Sequence, residues 1–254
     1  MVMKRHKRIA ASATTYILLI IALVWTIFPV YWMIKSSITV NSEMYVARPS
    51  LIAKHYTFEN YVDLFTKTEF PRALLNSLMI AFLTTVCCLL ISILGSYAMT
   101  RLKYPGRRFF KTSIIFSYLI PTAVLFVPMY VFVSKLGFYD NKWALLIIYP
   151  TTVVPYCCYM LMSYFKAIPY ALEEAALIDG CTRMKSLRYI ITPIALPGIA
   201  VVATFAFTMS WNEYLYAMIM TTSPAQQTAV VAISSFKYAD SAIWGRIIDR
   251  KSVV

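Results

Sequence analysis

Residues Ile168–Ile199 read IPYALEEAALIDGCTRMKSLRYIITPIALPGI. Pro169 suits the opening of a short helix, because the N–H that proline lacks has no partner in the first turn. Glu173 and Glu174 then fall near the positive end of that helix's dipole, where carboxylates are favoured. Gly180 suits a left-handed cap, a conformation that costs glycine nothing. Beyond the turn, Met184 to Ile191 suits a second short helix with Leu187, Ile190 and Ile191 on one side. Pro193 and Pro197 mark the return into an apolar run. The segment predicts a helix–turn–helix elbow, amphipathic enough to seat in a partner's groove. An amphipathic hairpin lying on a lipid surface is the other reading of the same pattern.

What flanks the elbow sets its context. Of the 254 residues, 60% are hydrophobic and only 14% charged, against roughly 45–50% and about 25% in soluble domains. A soluble protein would have to expose large apolar patches to hold such an excess. An ordinary soluble globule, a disordered chain and a collagen-like fibre are excluded. Uncharged runs longer than about 18 residues read as membrane-crossing helices. Five are expected: Ile9–Ile34, Ala73–Thr100, Thr112–Ser134, Trp143–Phe165 and Pro197–Thr221. The elbow occupies 166–196, and the whole chain reads as one transmembrane domain. Pro29, Pro121, Pro128, Pro150 and Pro155 lie inside spans, either as passive bends or as break points along a translocation path.

The formal charge of +13 comes from 24 Lys and Arg against 11 Asp and Glu. Its distribution decides what it means. Lys4, Arg5, Lys7 and Arg8 precede the first span. Arg101, Lys103, Arg107, Arg108 and Lys111 follow the second. Lys166, Arg183, Lys185 and Arg188 follow the fourth. These segments hold 13 of the 24 basic residues and alternate with spans, as cytoplasmic loops do. The charge is therefore topological, the N-terminus is assigned to the cytoplasm, and no nucleic-acid partner is implied. The segment Lys35–Arg72 carries charges of both signs and reads as a small extracytoplasmic excursion. The first span is too long for a secretory signal and has no small-residue cleavage site after it, so it reads as a retained anchor.

Chemical motifs are sparse. Cys87–Cys88 and Cys157–Cys158 are adjacent pairs inside spans and read as small packing residues. With no CxxC and only His6 and His55, no metal site is expected. No GxxxxGK[ST], GxGxxG, GxSxG or HExxH pattern occurs, so no cofactor, phosphate cradle or hydrolytic site of its own is expected, and the chain reads as no enzyme. Glu213 is the one carboxylate in the fifth span. Between Trp211, Asn212 and Tyr214 it reads either as a pathway or gate residue or as a group paired at the headgroup boundary.

The residue order in the elbow goes further. Glu174-Ala175-Ala176, three residues, Gly180, nine residues and Ile190-x-x-Pro193 closely resembles the "EAA" loop of binding-protein-dependent ABC importer permeases. Asn76-Ser77-Leu78, Tyr97-Ala98 with Arg101, Ile120-Pro121, Pro128 with Tyr130, Leu136-Gly137 and Trp211-Asn212-Glu213-Tyr214 extend the resemblance from about Ile17 to Gly245. Together they look like the carbohydrate, maltose-permease branch. The resemblance implies an all-α, polytopic type I permease fold in the bacterial inner membrane. It implies a sugar or oligosaccharide as solute, with glycerol phosphate or another polar solute as the alternative. A second permease subunit forming a heterodimer, two ATP-binding subunits and an extracytoplasmic solute-binding protein are the implied partners. Glu174, Ala175, Ala176, Asp179 and Gly180 would form the docking core for the ATPase, with Leu187, Ile190 and Pro193 completing the loop. Leu187 stands where the family usually has an aromatic, and Thr192 where it usually has Leu. After Trp244-Gly245 the family continues into a sixth span, whereas residues 246–254 are short and charged. Five spans of an expected six, and a truncated or aberrant C-terminus, are therefore expected. A membrane scaffold or a non-functional truncated permease is the reading from another class.

Overall fold

A computed structural model of the chain describes residues 2–44, 46 and 50–235, with 2–13, 41 and 44 described by their backbone alone. The tail 246–254, on which the expected aberrant C-terminus falls, lies outside the described residues. Among the described residues the regular structure is helical, apart from one antiparallel bridge between Thr39 and Tyr56. The chain divides between Thr68 and Glu69 into two compact units.

The first unit holds α1 (Val2–Ser37), α2 (Asn41–Met44) and α3 (Glu59–Thr66). Polar contacts order the excursion that follows α1. Thr57 donates its N–H to the Ile38 carbonyl at 2.8 Å, and the Tyr61 hydroxyl donates to Ser37 Oγ at 2.8 Å. Glu43 meets His55 at 2.5 Å and accepts the Lys54 N–H at 3.0 Å.

The second unit contains α4 (Phe70–Arg101), α5 (Arg107–Leu119), α6 (Thr122–Lys135) and α7 (Ala144–Ala167). The elbow follows as α8 (Tyr170–Ile178), α9 (Arg183–Ser186), a π-helical turn at Leu187–Ile191 and α10 (Thr192–Ile194). Then come α11 (Leu196–Trp211) and α12 (Leu215–Met220). Among the described residues, three helices are long and apolar enough to cross a membrane: Thr14–Ser37, α4 and α7. The number reaches five if each of two bent pairs is one span.

Two of the spans expected to be continuous, 112–134 and 197–221, are broken. The run 112–134 is split between α5 and α6, which meet at 98°. Ile120 is extended (φ −70°, ψ 122°) ahead of Pro121, as the residue before a proline is pushed to be. The run 197–221 is interrupted after Trp211 and resumes at Leu215. Before it, the stretch Arg183–Ile194 meets α11 at 81°. Pro29, Pro128, Pro150 and Pro155 stay inside continuous helices.

Helices α4, α7 and α11 form the core of the second unit. Cys88 and Tyr97 of α4, Cys157, Leu161 and Phe165 of α7, and Val202 and Ala206 of α11 are buried in one cluster. Close packing there relies on small and hydroxylated side chains, which let backbones approach where lipid offers no hydrophobic drive. Ser96 Oγ donates to the Cys158 carbonyl at 3.1 Å. Gly198 lets α11 approach α7 so closely that a Cβ there would stand 2.5 Å from the Tyr164 ring. Of the cysteine pairs read as packing residues, Cys88, Cys157 and Cys158 are buried and Cys87 is exposed.

At the opposite end of α4, the Asn76-Ser77 dipeptide anchors the 221–229 segment. Asn76 Nδ2 donates to the carbonyls of Ala225 and Gln227 at 3.1 and 3.0 Å, and its Oδ1 accepts from Lys142 Nζ at 2.7 Å. Ser77 Oγ accepts the Ala229 N–H at 2.8 Å.

Candidate functional site

The elbow is built from local signals first. Pro169 is the N-cap of α8. At the other end, Gly180 takes φ +82°. Its N–H donates to the Leu177 carbonyl at 3.2 Å, while the Cys181 N–H reaches back to the Ala176 carbonyl at 2.9 Å. That paired arrangement satisfies carbonyls a helix end otherwise leaves open. The next helix opens at Thr182, whose hydroxyl accepts the Lys185 N–H at 3.3 Å. The second helix read from Met184 to Ile191 is α9 followed by the π turn.

Side chains of the core then hold α8 in place. The Tyr97 hydroxyl donates to Glu173 Oε1 at 2.5 Å. Arg101, its side chain wholly buried, sends Nη2 to the Phe165 and Ile168 carbonyls at 2.5 and 2.6 Å. These are carbonyls at the C-terminus of α7, where a cation also complements the helix dipole. The same guanidinium lies 4.2 Å from the Tyr170 ring centre, and its Nε is 3.8 Å from Glu173 Oε2. Tyr170 closes the frame by donating its hydroxyl to the Thr100 carbonyl at 2.8 Å. Arg107 adds Nε and Nη2 bonds to the Met99 and Thr100 carbonyls, both at 2.8 Å. The ends of α4 and α7 and the start of α8 thus form one polar joint.

The joint divides the residues picked out from sequence. Glu174, Ala175, Asp179, Gly180 and Pro193 are exposed, Ile190 is half-buried, and Ala176 and Leu187 are buried within the chain. On α8, Glu173 and Ala176 face inward. Ala171, Glu174, Ala175 and Ile178, at i, i+3, i+4 and i+7, are all exposed. Ile178 is 86% exposed, which sequence reasoning missed although it stands beside Asp179-Gly180. Glu173 and Arg101 were missed as structural partners for a different reason. One was read with its neighbour as a dipole carboxylate, the other as a topological charge. The signal present was Tyr97 and Arg101 four apart at the end of a span.

The second group, Trp211 to Tyr214, sits at the break between α11 and α12. Trp211, Glu213 and Tyr214 are half-buried, and Asn212 is exposed. Glu213 turns both carboxylate oxygens to the backbone, accepting the N–H groups of Tyr216 and Ala217 at 3.1 and 3.2 Å. It caps α12. Trp211 stacks on Phe207 with ring centres 5.7 Å apart. The elbow residues and this group stand at opposite ends of α11, and the structure does not bring them together.

Comparison with known proteins adds to this geometry. The family described as "Binding-protein-dependent transport system inner membrane component" matches residues 89–248. The inner membrane ABC transporter permease protein YcjP of Escherichia coli is 33% identical over 248 residues, covering 97% of this chain and 89% of its own. The trehalose transport system permease protein SugB of Mycobacterium tuberculosis is 33% identical, covering 84% and 77%. The trehalose/maltose transport system permease protein MalG of Thermococcus litoralis is 32% identical, covering 87% and 80%. Among solved structures, a bacterial ABC transporter involved in import of the acidic polysaccharide alginate superposes with a TM-score of 0.78. It is 22% identical over 88% of this chain and 79% of that one, a likeness of fold.

Proposed function

The chain belongs to the family of binding-protein-dependent transport system inner membrane components, and on that footing we propose that it is the permease subunit of an ATP-driven importer of a sugar or oligosaccharide. It forms half of the translocation path, pairs with a second, different permease subunit, and receives its solute from an extracytoplasmic binding protein. Two ATP-binding subunits drive it through the elbow, in a bacterial inner membrane with the N-terminus in the cytoplasm. The likeness to permease proteins of trehalose and trehalose/maltose transport systems supports a sugar as solute.

The observation that carries the coupling role is the division of α8 into two edges. Glu173 and Ala176 are locked into the chain, while Ala171, Glu174, Ala175 and Ile178 present an i, i+3, i+4, i+7 face to solvent. Helices that seat in a partner's groove use that spacing. Small Ala side chains permit close approach, and Ile178 supplies an apolar anchor. The inward edge transmits the push, because Glu173 is bonded to Tyr97 of α4 and paired with Arg101, which in turn ties the end of α7. Closure of the ATPase pair then moves the membrane helices along with α8.

The test is co-purification and uptake. With its transport partners expressed alongside, the tagged chain retains the ATP-hydrolysing subunits and supports ATP-driven sugar uptake into proteoliposomes. Glu174→Lys or Ile178→Asp releases those subunits and abolishes uptake while the chain still folds. Mutant complexes that stay intact and active remove the coupling assignment.

A further inference from the structure

Helices α4 and α7 dispose their polar residues in opposite ways. On α4 the polar side chains of Asn76, Thr84, Ser92 and Ser96 are buried, while Leu75, Phe82, Leu90 and Leu94 are exposed. That is the form expected of a helix facing lipid, with its polar groups turned to the bundle interior. On α7 the order is reversed. Leu145, Ile148, Cys157 and Leu161 are buried, and the exposed residues are Thr151, Tyr159, Ser163, Lys166 and Ala167.

Aromatic rings widen the exposed face of α7 into a platform across three helices. Tyr159 lies parallel to Tyr118 of α5, with ring centres 6.4 Å apart and planes within 3°. Tyr118 also meets Tyr156 at 5.6 Å, and Tyr156 meets Phe205 of α11 edge-on at 5.8 Å. Tyr118 and Tyr159 are 47% and 45% exposed. Tyr156 stands at the middle of the 24-residue α7, roughly 17 Å from either end at 1.5 Å per residue. Aromatic belts sit at the ends of spans and do not account for it. Thr151 and Ser163 return their hydroxyls to the Ile148 and Tyr159 carbonyls, which lipid permits. The Tyr118, Tyr156 and Tyr159 hydroxyls have no hydrogen-bond partner among the described residues, and hydrocarbon would leave them unsatisfied. Tyr118 also precedes the 98° break at Pro121. Broken backbone at membrane depth belongs inside protein or beside a water-filled cavity.

On the reading of the chain as a sugar-importer permease, we propose that the Tyr118–Tyr156–Tyr159 platform is its wall of the translocation path and stacks the ring of a neutral sugar. Ring faces meet the sugar's C–H faces, and phenol hydroxyls meet its hydroxyls. The runs Thr112–Ser134 and Trp143–Phe165 hold no Asp, Glu, Lys or Arg, so nothing beside the platform balances a phosphate. A neutral sugar is therefore favoured over glycerol phosphate.

The assembled importer, with second permease, ATP-binding subunits and binding protein, provides two tests. In lipid nanodiscs, Tyr159→Cys reacts with a charged thiol reagent about tenfold or more faster than Cys87, because the reactive thiolate forms in water. Cys87 is exposed on the apolar face of α4 and serves as the internal standard, the labelled peptides being resolved by mass spectrometry. Equal rates overturn the proposal and assign this face to lipid or to contact with another subunit. In proteoliposomes, uptake is read with neutral disaccharides, trehalose and maltose first, and with glycerol phosphate. Tyr159→Ala lowers sugar uptake per ATP hydrolysed about fivefold, the order a stacked ring contributes. Tyr159→Phe keeps the ring and loses less, and Leu90→Ala on α4 changes nothing. Equal losses in the Ala and Phe variants overturn the stacking, as does uptake of glycerol phosphate in place of the sugars. A parent complex that carries no neutral sugar fails the solute reading itself. A parent that carries one, with uptake unchanged in Tyr159→Ala, fails the platform alone.

Discussion

Tyr97 and Glu173 lie 76 positions apart and meet at 2.5 Å, the phenol donating to the carboxylate with both residues buried. This bond is the strut between α4 and α8. A hydrogen bond to a buried charged group is worth about 1.5–3 kcal/mol, so Tyr97→Phe lowers stability by that order. Glu173→Ala costs more, roughly 3–5 kcal/mol, because it leaves the buried Arg101 without its carboxylate. Thermal unfolding in detergent checks the order of the two. A Tyr97→Phe protein as stable as the parent would show that the strut carries no weight.

The approach of α11 to α7 gives a prediction of opposite kind, one of crowding. A Cβ on Gly198 would stand 2.5 Å from two atoms of the Tyr164 ring. Gly198→Ala therefore destabilises, by about 1–3 kcal/mol as inserted core groups do. Tyr164→Ala opens the same space, so the double variant is more stable than the sum of the single effects predicts, as expected for residues in contact. Additive losses in a double-mutant cycle would mean the clash is relieved elsewhere.

Glu213 is expected to behave as a cap. Its two oxygens each accept a backbone N–H at the start of α12. Removing a capping acceptor costs about 1 kcal/mol, so Glu213→Ala lowers the unfolding temperature. Glu213→Gln keeps one carbonyl acceptor and loses less. A pathway role makes the reverse prediction, with uptake falling in both variants while stability holds. Measuring both quantities on the same preparations separates the two.

How much of this was open to sequence reading depended on distance along the chain. Pro169 and Gly180 were legible because helix ends are decided within a turn by a missing N–H and a left-handed backbone. Glu173 and Glu174 were not separable, since a first-turn carboxylate looks alike on either face. Which one is buried depends on Tyr97 and Arg101, far earlier in the chain. Arg101, read from the sequence as one of the basic residues that follow the second span, is the last residue of α4 and is buried, bonding the end of α7. Charge counting cannot distinguish the two roles. The prolines show the same limit. Pro121 stands at a 98° bend, whereas Pro150 and Pro155 sit within the continuous α7, because neighbouring helices decide whether the freed carbonyls are satisfied.

The last prediction concerns pH at the opposite end of α4 from the elbow, where Asp140 meets Ser223. The Ser223 hydroxyl and its N–H, the latter at 2.8 Å, both donate to the Asp140 carboxylate and hold it below the usual aspartate range. A carboxyl depressed on folding contributes stability that is fully present above its unfolded value, about 3.9, and is lost as pH falls through the folded value. Asp140 also has φ 49°, a left-handed backbone that Asn tolerates as well as Asp. Asp140→Asn therefore removes the charge without straining the chain. At neutral pH the variant unfolds at lower temperature than the parent, and the gap narrows as pH drops below about 4. Unfolding scans of both proteins from pH 7 to pH 3 read this directly. A gap that stays constant over that range would place the Asp140 contribution in its hydrogen-bond geometry and not in its charge.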